Sequence, residues 1–486
     1  MSEKTDTGKR PVLNNASSSP KWYKTVFESK RSKIAIAMLP ILLFLLGYII
    51  NQSVTYFRTT NVTDSNWPGY SLIPVNTTPI NVEEYVYVLT TEEVISDRNE
   101  LIRTVEEVHP LFLYEATDIY NQAKEAFLEA TNQSMTRDEF WMQCAYYIAS
   151  LEDEHSFISR GRHLNLDTTF EWRNDSLFLL NNDICASEKI VLSIAGIPVH
   201  ELLRIVDRIS PAGNGGINES AVQYYRSIYM NRQYVHTAAG AAPADIVTVV
   251  YQEEGHEGKI DVPYIHSTPA YPPVESTSFA LLENDEIALV TTISFIPDTS
   301  FERTLVSLKA AIASGTRKLI LDLRGASSGS SGGYMARLYK VIQIDPGHYG
   351  FTWNFSPMVK SKISTYWGRS GSHTVEPQIK QINNNNLDIV VLTDGHTASS
   401  GMLSATLIHD SGLGTIIGVE PRSLASQFIG ATISRLPNAS FPYSVSHIIA
   451  TRLNPELDKG NKNIVDIPVA VNESALYTAI SFLNNK

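Results

Sequence analysis

The second half of this chain alternates between two hydrophobic patterns, and this alternation limits the fold more than any other feature. Apolar β-branched runs typical of buried strands take turns with amphipathic runs typical of helices. In chain order the predicted elements are a strand at 287–295, a helix at 301–314, a strand at 318–323, a helix at 333–344, a strand at 389–392, a helix at 400–410 and a strand at 415–419. Such alternation predicts an α/β core, in which a parallel or mixed sheet is covered by helices.

Two serines lie at the last strand-to-helix junction of this pattern. The strand 389–392 is followed by Thr397-Ala-Ser-Ser-Gly401, and the helical pattern begins directly afterwards. A serine at such a junction can present its hydroxyl beside helix N-terminal amides, which stabilise an oxyanion. Taken alone, the turn is more typical of a helix N-cap supplied by Ser399 or Ser400.

The N-terminal region contains a candidate membrane anchor. Residues 34–50 form a run of seventeen residues without a charge, about the minimum for a spanning helix. Residues 1–33 carry eight Lys/Arg against three acids, which predicts a cytoplasmic N-terminus by the positive-inside rule. A cleaved signal peptide is the alternative, but the basic region is too long and no Ala-x-Ala site follows. We therefore predict an uncleaved, single-pass anchor in the plasma membrane.

Charge limits the partners of the remaining chain. The net charge is −12 for the whole sequence and +5 for residues 1–33, which leaves −17 on the residues that follow. A part this acidic argues against nucleic-acid binding and favours work outside the cytoplasm on proteins, peptides or wall material. The two cysteines, Cys144 and Cys185, exclude a disulfide-dense scaffold and do not suggest a zinc cluster.

Three further segments contain residue types that carry chemistry. The glycine- and serine-rich loop of Leu319–Gly333 gathers backbone amides that suit either a phosphate or an oxyanion, but it lacks the P-loop spacing. His155 ends an amphipathic helical pattern and has acidic neighbours, which favour its protonated form. Glu456 and Asp458 flank a late turn. Considered separately, the loop fits a flexible connector equally well, whereas His155, Glu456 and Asp458 are more typical of structural or solvated positions.

Together these segments resemble the tail-specific (C-terminal processing) serine peptidase family, in the family's order and over roughly residues 82–475. The motifs that carry the resemblance are the serine turn with Ser399, Leu321-Asp-Leu-Arg-Gly325 with its Gly/Ser tail, Leu151-Glu-Asp-Glu-His-Ser156, His109-Pro110, and Ser193-Ile-Ala-Gly-Ile-Pro-Val199, which is similar to a turn of PDZ-like domains.

The chain departs from the best-known branch of that family, in which a lysine after the serine is the general base. Here the corresponding position is Leu424, and no lysine lies between Ser399 and Lys459. The branch that includes the tricorn core protease uses a histidine and a late carboxylate instead. The resemblance therefore implies a Ser-His-Glu triad of Ser399, His155 and Glu456.

The resemblance also implies the roles of these residues. Ser399 attacks the scissile carbonyl, His155 takes its proton, and Glu456 orients the imidazole, with Asp458 and Asp466 as alternatives for the acid. The backbone amides of Ser400 and of the 325–329 loop, represented by Gly325, form the oxyanion hole. Neither a metal nor a cofactor is implied.

The implied fold is a crotonase/ClpP-like α/β peptidase core with a helical N-terminal subdomain and an inserted PDZ-like domain. In order, the predicted parts are a cytoplasmic basic tail at 1–33, a transmembrane anchor at 34–50, a linker at 51–80, the helical subdomain with the catalytic histidine at 81–165, the PDZ-like domain at 166–270 and the peptidase core at 271–486.

The resulting hypothesis is a membrane-anchored, extracytoplasmic serine endopeptidase that cleaves proteins or peptides. The alternative is an inactive homologue that keeps the fold as a peptide-binding or scaffolding ectodomain. An acyl hydrolase with the same triad is a third possibility, which the missing Gly-x-Ser-x-Gly around Ser399 disfavours.

Overall fold

The chain is described from a computed structural model, in which the described residues are 87–161, 163–180, 188–211, 218–266, 275–329, 331–458, 464–470 and 473–486. Within these residues no helix is long and apolar enough to cross a bilayer. The predicted tail, anchor and linker, at 1–33, 34–50 and 51–80, lie outside the described residues. Cys185 also lies outside them, and Cys144 is a buried free thiol.

The described chain begins with a helical segment. Its elements are β1 (Val88–Leu89), α1 (Thr91–Val108), a 3₁₀ helix (Pro110–Leu113), α2 (Asp118–Ala130), β2 (Met135–Thr136), α3 (Arg137–Ala149), β3 (Phe157–Ile158) and β4 (Leu164–Leu166). Capping boxes at Thr90 and Thr136 fix where α1 and α3 begin. The amphipathic pattern that predicted this helix consists of Phe140, Cys144, Ile148 and Leu151, and all four are buried in the segment's hydrophobic core.

An antiparallel sheet with three helices follows. Its elements are β5 (Thr169–Arg173), β6 (Ser176–Leu180), β7 (Lys189–Ile194), β8 (Ile197–Pro198), α4 (Val199–Ile209), α5 (Glu219–Tyr229), α6 (Gln233–Ala238), β9 (Ile246–Glu253) and β10 (His256–His266). The strand order is β4-β10-β9-β7-β6-β5, with β8 paired to β7. The PDZ-like character of this segment stays a prediction.

The remaining residues contain the α/β core. Its elements are β11 (Thr277–Leu282), β12 (Ile287–Thr292), β13 (Ser294–Phe295), α7 (Thr299–Ala313), β14 (Lys318–Asp322), β15 (Ser328–Gly329), α8 (Ser331–Ile342), β16 (Ile344–His348), β17 (Gly350–Phe355), α9 (Pro357–Lys362), a 3₁₀ helix (Ser364–Tyr366), β18 (Gly371–Val375), β19 (Gln378–Asn383), β20 (Asp388–Thr393), α10 (Ser400–Asp410), β21 (Gly414–Gly418), β22 (Gln427–Ile429), β23 (Thr432–Arg435), β24 (Pro442–Val445), β25 (Ile448–Thr451), a 3₁₀ helix (Pro455–Asp458), β26 (Ile467–Pro468) and α11 (Ala475–Asn484).

The central sheet has the order β11-β12-β14-β20-β21-β26. Only β11 runs antiparallel to its neighbour, and the other pairs are parallel. Alternate residues of β20 face opposite layers, as the period of two in a strand requires. Val391 packs in the core of α7, α8 and α10, whereas Val390 and Leu392 pack with α11. The predicted mixed sheet between two helical layers is therefore present.

A three-stranded sheet joins the helical segment to the core. In the order β23-β24-β3, Tyr443 pairs with Ile158 and Ser444 pairs with Phe157. Because β3 begins two residues after His155, this pairing fixes that histidine against the core. The carboxyl ends of β14 and β20 open on the same edge of the central sheet, where sites form in such folds.

Candidate active site

Ser399 occupies the turn between β20 and α10 in a strained backbone conformation. Its φ is 48° and its ψ is −115°, and its hydroxyl makes no hydrogen bond to the first turn of α10. A left-handed φ is uncommon for a residue with a side chain and clusters at functional sites. Ser399 therefore occupies the N-cap position of α10, but its hydroxyl does not cap the helix.

The hydroxyl of Ser399 is hydrogen-bonded to a histidine distant in sequence. Its Oγ lies 2.9 Å from Nε2 of His155, and 244 positions separate the two residues. For Ser399 to donate, Nε2 carries the lone pair and Nδ1 carries the proton. The structure thus brings together the first two residues that the sequence predicted, in the geometry of a nucleophile and its general base.

Ser400 is in a different environment. It is buried, and its Oγ donates to the carbonyl of Gly329 at 2.6 Å. A hydroxyl held by a backbone carbonyl inside the fold ties α10 to the loop after β14. Of the two adjacent serines, only Ser399 is placed to react.

The pKa of His155 is raised above its ordinary value. Burial lowers this pKa, but Asp153, the charge of Glu154 and a hydrogen bond to the backbone of Phe428 raise it by more. The distance between Nδ1 of His155 and Oδ1 of Asp153 is 3.8 Å, so this contact is electrostatic rather than a hydrogen bond. A raised pKa makes the neutral imidazole a stronger base.

Asp153 is the acid that the structure places beside His155. Its carboxylate accepts from the backbone amide of His155 at 2.9 Å, from Oγ of Ser156 at 2.5 Å and from Nε2 of His109 at 3.2 Å. Burial raises its pKa, but the two histidines lower it by more, so the net shift is well below the ordinary value. In the sequence analysis Asp153 is only one of the acidic neighbours of His155 and has no role of its own. Its spacing of two from His155 was the available signal.

Glu456 lies in the 3₁₀ helix Pro455–Asp458 and its side chain is exposed. The carboxylates that raise the pKa of His155 are Asp153 and Glu154. Glu456 is not among the groups that raise this pKa, and its membership of the triad stays a prediction. Of the two alternatives, Asp458 lies 3.5 Å from Arg452, and Asp466 accepts from the backbone amide of Ile416 at 2.8 Å.

The backbone amides of Gly325 and Ser400, which were predicted to donate to the oxyanion, lie in different surroundings. The amide of Gly325 donates to Oδ1 of Asp394 at 2.9 Å, which corrects the prediction that Gly325 supplies an oxyanion-hole donor. The same oxygen accepts from the amide of Thr397 at 2.8 Å, so Asp394 fastens the loop to the turn. Ser400 is the first residue of α10, and amides at a helix N-terminus point toward the preceding turn.

A short chain of polar contacts supports the nucleophile from behind. The backbone amide of Ser399 donates to Oγ of Ser423 at 2.9 Å, and this hydroxyl donates to Oε2 of Glu154 at 3.1 Å. Besides the direct contact between Ser399 and His155, the hydroxyl of Ser423 therefore connects Ser399 to Glu154, the residue before His155. The sequence analysis missed Ser423, because no local pattern marks a residue whose partner lies so far away in the chain.

A cavity of about 150 Å³ lies beside His155. Besides residues 152–155, its walls include Asn218 and Ala221 at the start of α5 and Gln427 and Phe428 on β22. The side chain of His155 is 12% exposed, so the ring lines this cavity while its Nε2 faces Ser399.

Part of the chain is similar to a known protein family. Residues 286–423 match the model of peptidase family S41, a range that includes Ser399 and Ser423 but neither Asp153 nor His155. The match indicates a serine-type peptidase and confirms the resemblance found in the sequence. A comparison with curated proteins gives no match.

Solved structures extend the likeness to most of the chain. Mature CPAF is similar over 81% of this chain and 96% of that chain, with a TM-score of 0.55 at 12% identity. The photosystem II D1 C-terminal processing protease matches over 78% and 93%, with a TM-score of 0.40 at 13% identity. The tricorn protease matches over 81% and 37%, with a TM-score of 0.38 at 11% identity. The likeness to mature CPAF shows a shared fold.

Proposed function

We propose that this chain, whose residues 286–423 match peptidase family S41, is a serine endopeptidase in which Ser399 is the nucleophile and His155 is the general base. The observation that carries the proposal is the 2.9 Å contact between Ser399 Oγ and His155 Nε2. It forms between residues far apart in sequence, one of which has a strained backbone and a hydroxyl with no capping role.

The proposed reaction follows from the positions of these groups. His155 accepts the proton of Ser399 as the hydroxyl attacks a peptide carbonyl, and the proton then passes to the leaving amine. An acyl-enzyme on Ser399 remains, and water activated by the same imidazole releases it. Asp153, which faces Nδ1 at 3.8 Å, stabilises the imidazolium that forms in both steps. The amide of Ser400 is our proposed oxyanion donor.

The predicted Ser-His-Glu triad enters this proposal as a testable variant. In that variant Glu456 moves toward His155 when substrate binds and takes over the orienting role, as relatives of the tricorn branch imply. The present arrangement supports Asp153 instead, because its carboxylate is buried against His155.

The test is covalent labelling of the full-length chain with a fluorophosphonate probe at neutral and mildly alkaline pH. We expect wild type and Ser400→Ala to be labelled, and Ser399→Ala and His155→Ala to lose labelling. A folded wild-type protein that takes up no probe contradicts the proposal and leaves the inactive homologue. Labelling that survives Ser399→Ala but not Ser400→Ala contradicts the choice of serine.

We further propose that residues 34–50 anchor the chain in the plasma membrane with residues 1–33 in the cytoplasm. The uncharged run and the basic residues before it support this topology. Protease added to intact cells is expected to digest the catalytic part and to spare an epitope tag at the N-terminus. Digestion of the tag, or release of the protein by salt alone, contradicts the topology or the anchor.

A further inference from the structure

His109 lies behind the proposed active site and is completely buried. It ends α1 and begins the 3₁₀ helix Pro110–Leu113, where its Nδ1 accepts a hydrogen bond from the backbone amide of Leu111 at 3.2 Å. An amide that donates to Nδ1 requires a lone pair there, so the proton of the neutral ring is on Nε2. The local cap therefore selects the tautomer of His109.

That tautomer directs the Nε2–H group of His109 at Asp153. The distance from Nε2 to Oδ2 of Asp153 is 3.2 Å, and both side chains are at most 1% exposed. With Oδ2 held by His109 and Ser156, the other oxygen of Asp153 is directed at the backbone amide and at Nδ1 of His155. The donor on His109 thus fixes which carboxylate oxygen faces the catalytic imidazole.

The same ring also contacts the second group that faces His155. The ring centroids of His109 and Phe428 are 4.4 Å apart and their planes are tilted by 56°. Phe428 lies on β22, the edge strand of its sheet, and lines the same cavity as His155, whose pKa its backbone helps to raise. An edge strand is held from one side only, so a side chain packed on it contributes to its position.

We infer that His109 is a positioning residue of the active site, which holds in place both Asp153 and Phe428 and thereby sets the orientation of His155. None of its hydrogen bonds to described residues is to Ser399, and it acts through these two neighbours. The inference deepens the proposed function and rests on it, since it assumes that the orientation of His155 limits the reaction of Ser399.

Two amide substitutions separate the two hydrogen bonds of His109. In His109→Asn the side-chain oxygen takes the place of Nδ1 and keeps the cap to Leu111, but no donor reaches Asp153. In His109→Gln the longer side chain places its amide nitrogen where Nε2 was and keeps the donor. A purely structural role predicts that the variant that keeps the cap is the better one, whereas a positioning role predicts the opposite.

The measurement is the second-order rate of fluorophosphonate labelling of Ser399 in the full-length chain, together with the melting temperature. We expect His109→Asn to lower the rate by about 10²-fold, the loss that a displacement of about 1 Å can cause, and His109→Gln to stay close to wild type. We expect the double variant with Asp153→Asn and His109→Asn to be labelled as fast as Asp153→Asn alone, because both substitutions break the same contact between His109 and Asp153. The inference is overturned if both His109 variants lose labelling rate equally and in step with their melting temperatures. It is also overturned if a folded His109→Asn is labelled at the wild-type rate.

A second measurement does not depend on labelling. In protein with ¹⁵N-labelled histidine, assigned with His155→Ala, the Nδ1 and Nε2 resonances of His155 report its tautomer and its mobility. We expect His109→Asn to change them and His109→Gln to preserve them, and unchanged resonances in His109→Asn overturn the inference. A wild-type protein that takes up no probe contradicts the proposed function alone, and these resonances then decide the role of His109.

Discussion

Single residues around His155 set its charge state, and two of them are carboxylates with different surroundings. Asp153 is buried and accepts three hydrogen bonds, so its own charge is fixed over the ordinary pH range. Glu154 is half-buried and accepts a hydrogen bond from Ser423. Both raise the pKa of His155, yet only Glu154 can be neutralised by substitution without disturbing the buried network of Asp153.

Replacing Glu154 with Gln is therefore expected to shift the pH dependence of the reaction. His155 accepts a proton only when it is neutral, so activity falls as pH drops through its pKa, which in wild type lies above the ordinary value. Loss of the negative charge lowers this pKa, and the acid limb of labelling rate against pH moves to lower pH. Glu152→Gln is the matched control in the same turn, and an identical shift in both variants contradicts a specific role for Glu154.

Asp153→Asn and Glu456→Gln together decide which acid completes the site. Because Asp153 contacts the catalytic residue and Glu456 is exposed on a 3₁₀ helix, we expect the first substitution to lower the labelling rate by at least about 10²-fold and the second to have little effect. The melting temperature of each variant controls for folding. A large loss in Glu456→Gln with a stable fold supports the triad implied by the sequence resemblance.

The sequence predicted Ser399 and His155 because the residues around them match family motifs. It did not distinguish among the three acids at 152–154, since all three precede the histidine closely and differ only in the direction of their side chains. That direction depends on the turn after α3, where Glu152 has a φ of 51° and Asp153 points inward. Burial of this kind is decided by partners such as His109, which no local pattern reveals.

At the scale of elements, the nucleophile helix is positioned by a close backbone contact. A Cβ at Gly401 would lie 2.2 Å from the carbonyl oxygen of Ala326, which also accepts from the amide of Ala398 at 3.0 Å. The first turn of α10 therefore packs directly on the loop after β14. This packing places the N-terminal amides of α10 next to the Gly/Ser loop.

Gly401→Ala is expected to separate these two elements. The added methyl group cannot be accommodated at 2.2 Å from backbone, so α10 has to shift and the labelling rate of Ser399 should fall by about 10²-fold or more. Gly333→Ala is the control, because a Cβ at this position in α8 meets nothing within 4 Å and alanine favours a helix. Wild-type labelling in Gly401→Ala contradicts the requirement for close packing.

The other end of α10 is held by a buried ion pair. Arg452, at the end of β25, donates to both carboxylate oxygens of Asp410 at 2.9 and 2.6 Å, and the two side chains are 1% and 0% exposed. Arg452→Met leaves the charge of Asp410 buried without this partner, which costs about 3–5 kcal/mol. We expect a lower midpoint in denaturant unfolding, and an unchanged midpoint contradicts the assignment of a structural role to Arg452.

Periodicity predicted the four inner parallel strands β12, β14, β20 and β21 and the helices α7, α8 and α10, because buried strands and amphipathic helices carry their own patterns. The predicted helix at 301–314 is Thr299–Ala313, and the one at 400–410 matches α10. The two-residue pairing of β13 with β15 was not predictable, since it arises only when the loop after β14 meets Phe295. The role expected for Gly325 failed for the same reason, because its partner Asp394 belongs to another loop.

At the scale of the whole molecule, three parts of the chain meet at Arg422. Its guanidinium lies 4.0 Å from the ring centroid of Tyr224 on α5, its Nη1 donates to the carbonyl of His396 at 2.6 Å, and its Nε is 3.8 Å from Glu154. The next residue, Ser423, accepts the amide of Ser399. Together with the hydrogen bond from Asn218 to the carbonyl of Pro421, Arg422 thus connects the predicted PDZ-like segment to the surroundings of the nucleophile, a connection that the order of motifs alone did not show.

Tyr224→Leu is expected to weaken the reaction of Ser399 although Tyr224 lies outside the core. Loss of the aromatic face removes a cation–π contact of about 0.5–2 kcal/mol from Arg422, which loosens the support of Ser423 behind the nucleophile. We expect a several-fold slower labelling rate with a nearly unchanged melting temperature. Tyr251→Leu is the matched control, because Tyr251 makes a cation–π contact with Lys189 within the same segment, 5.0 Å from the ring centroid. Equal labelling rates in the two variants contradict a coupling through Arg422. A loss of labelling rate confined to Tyr224→Leu supports an effect of the predicted PDZ-like segment on the reaction of Ser399.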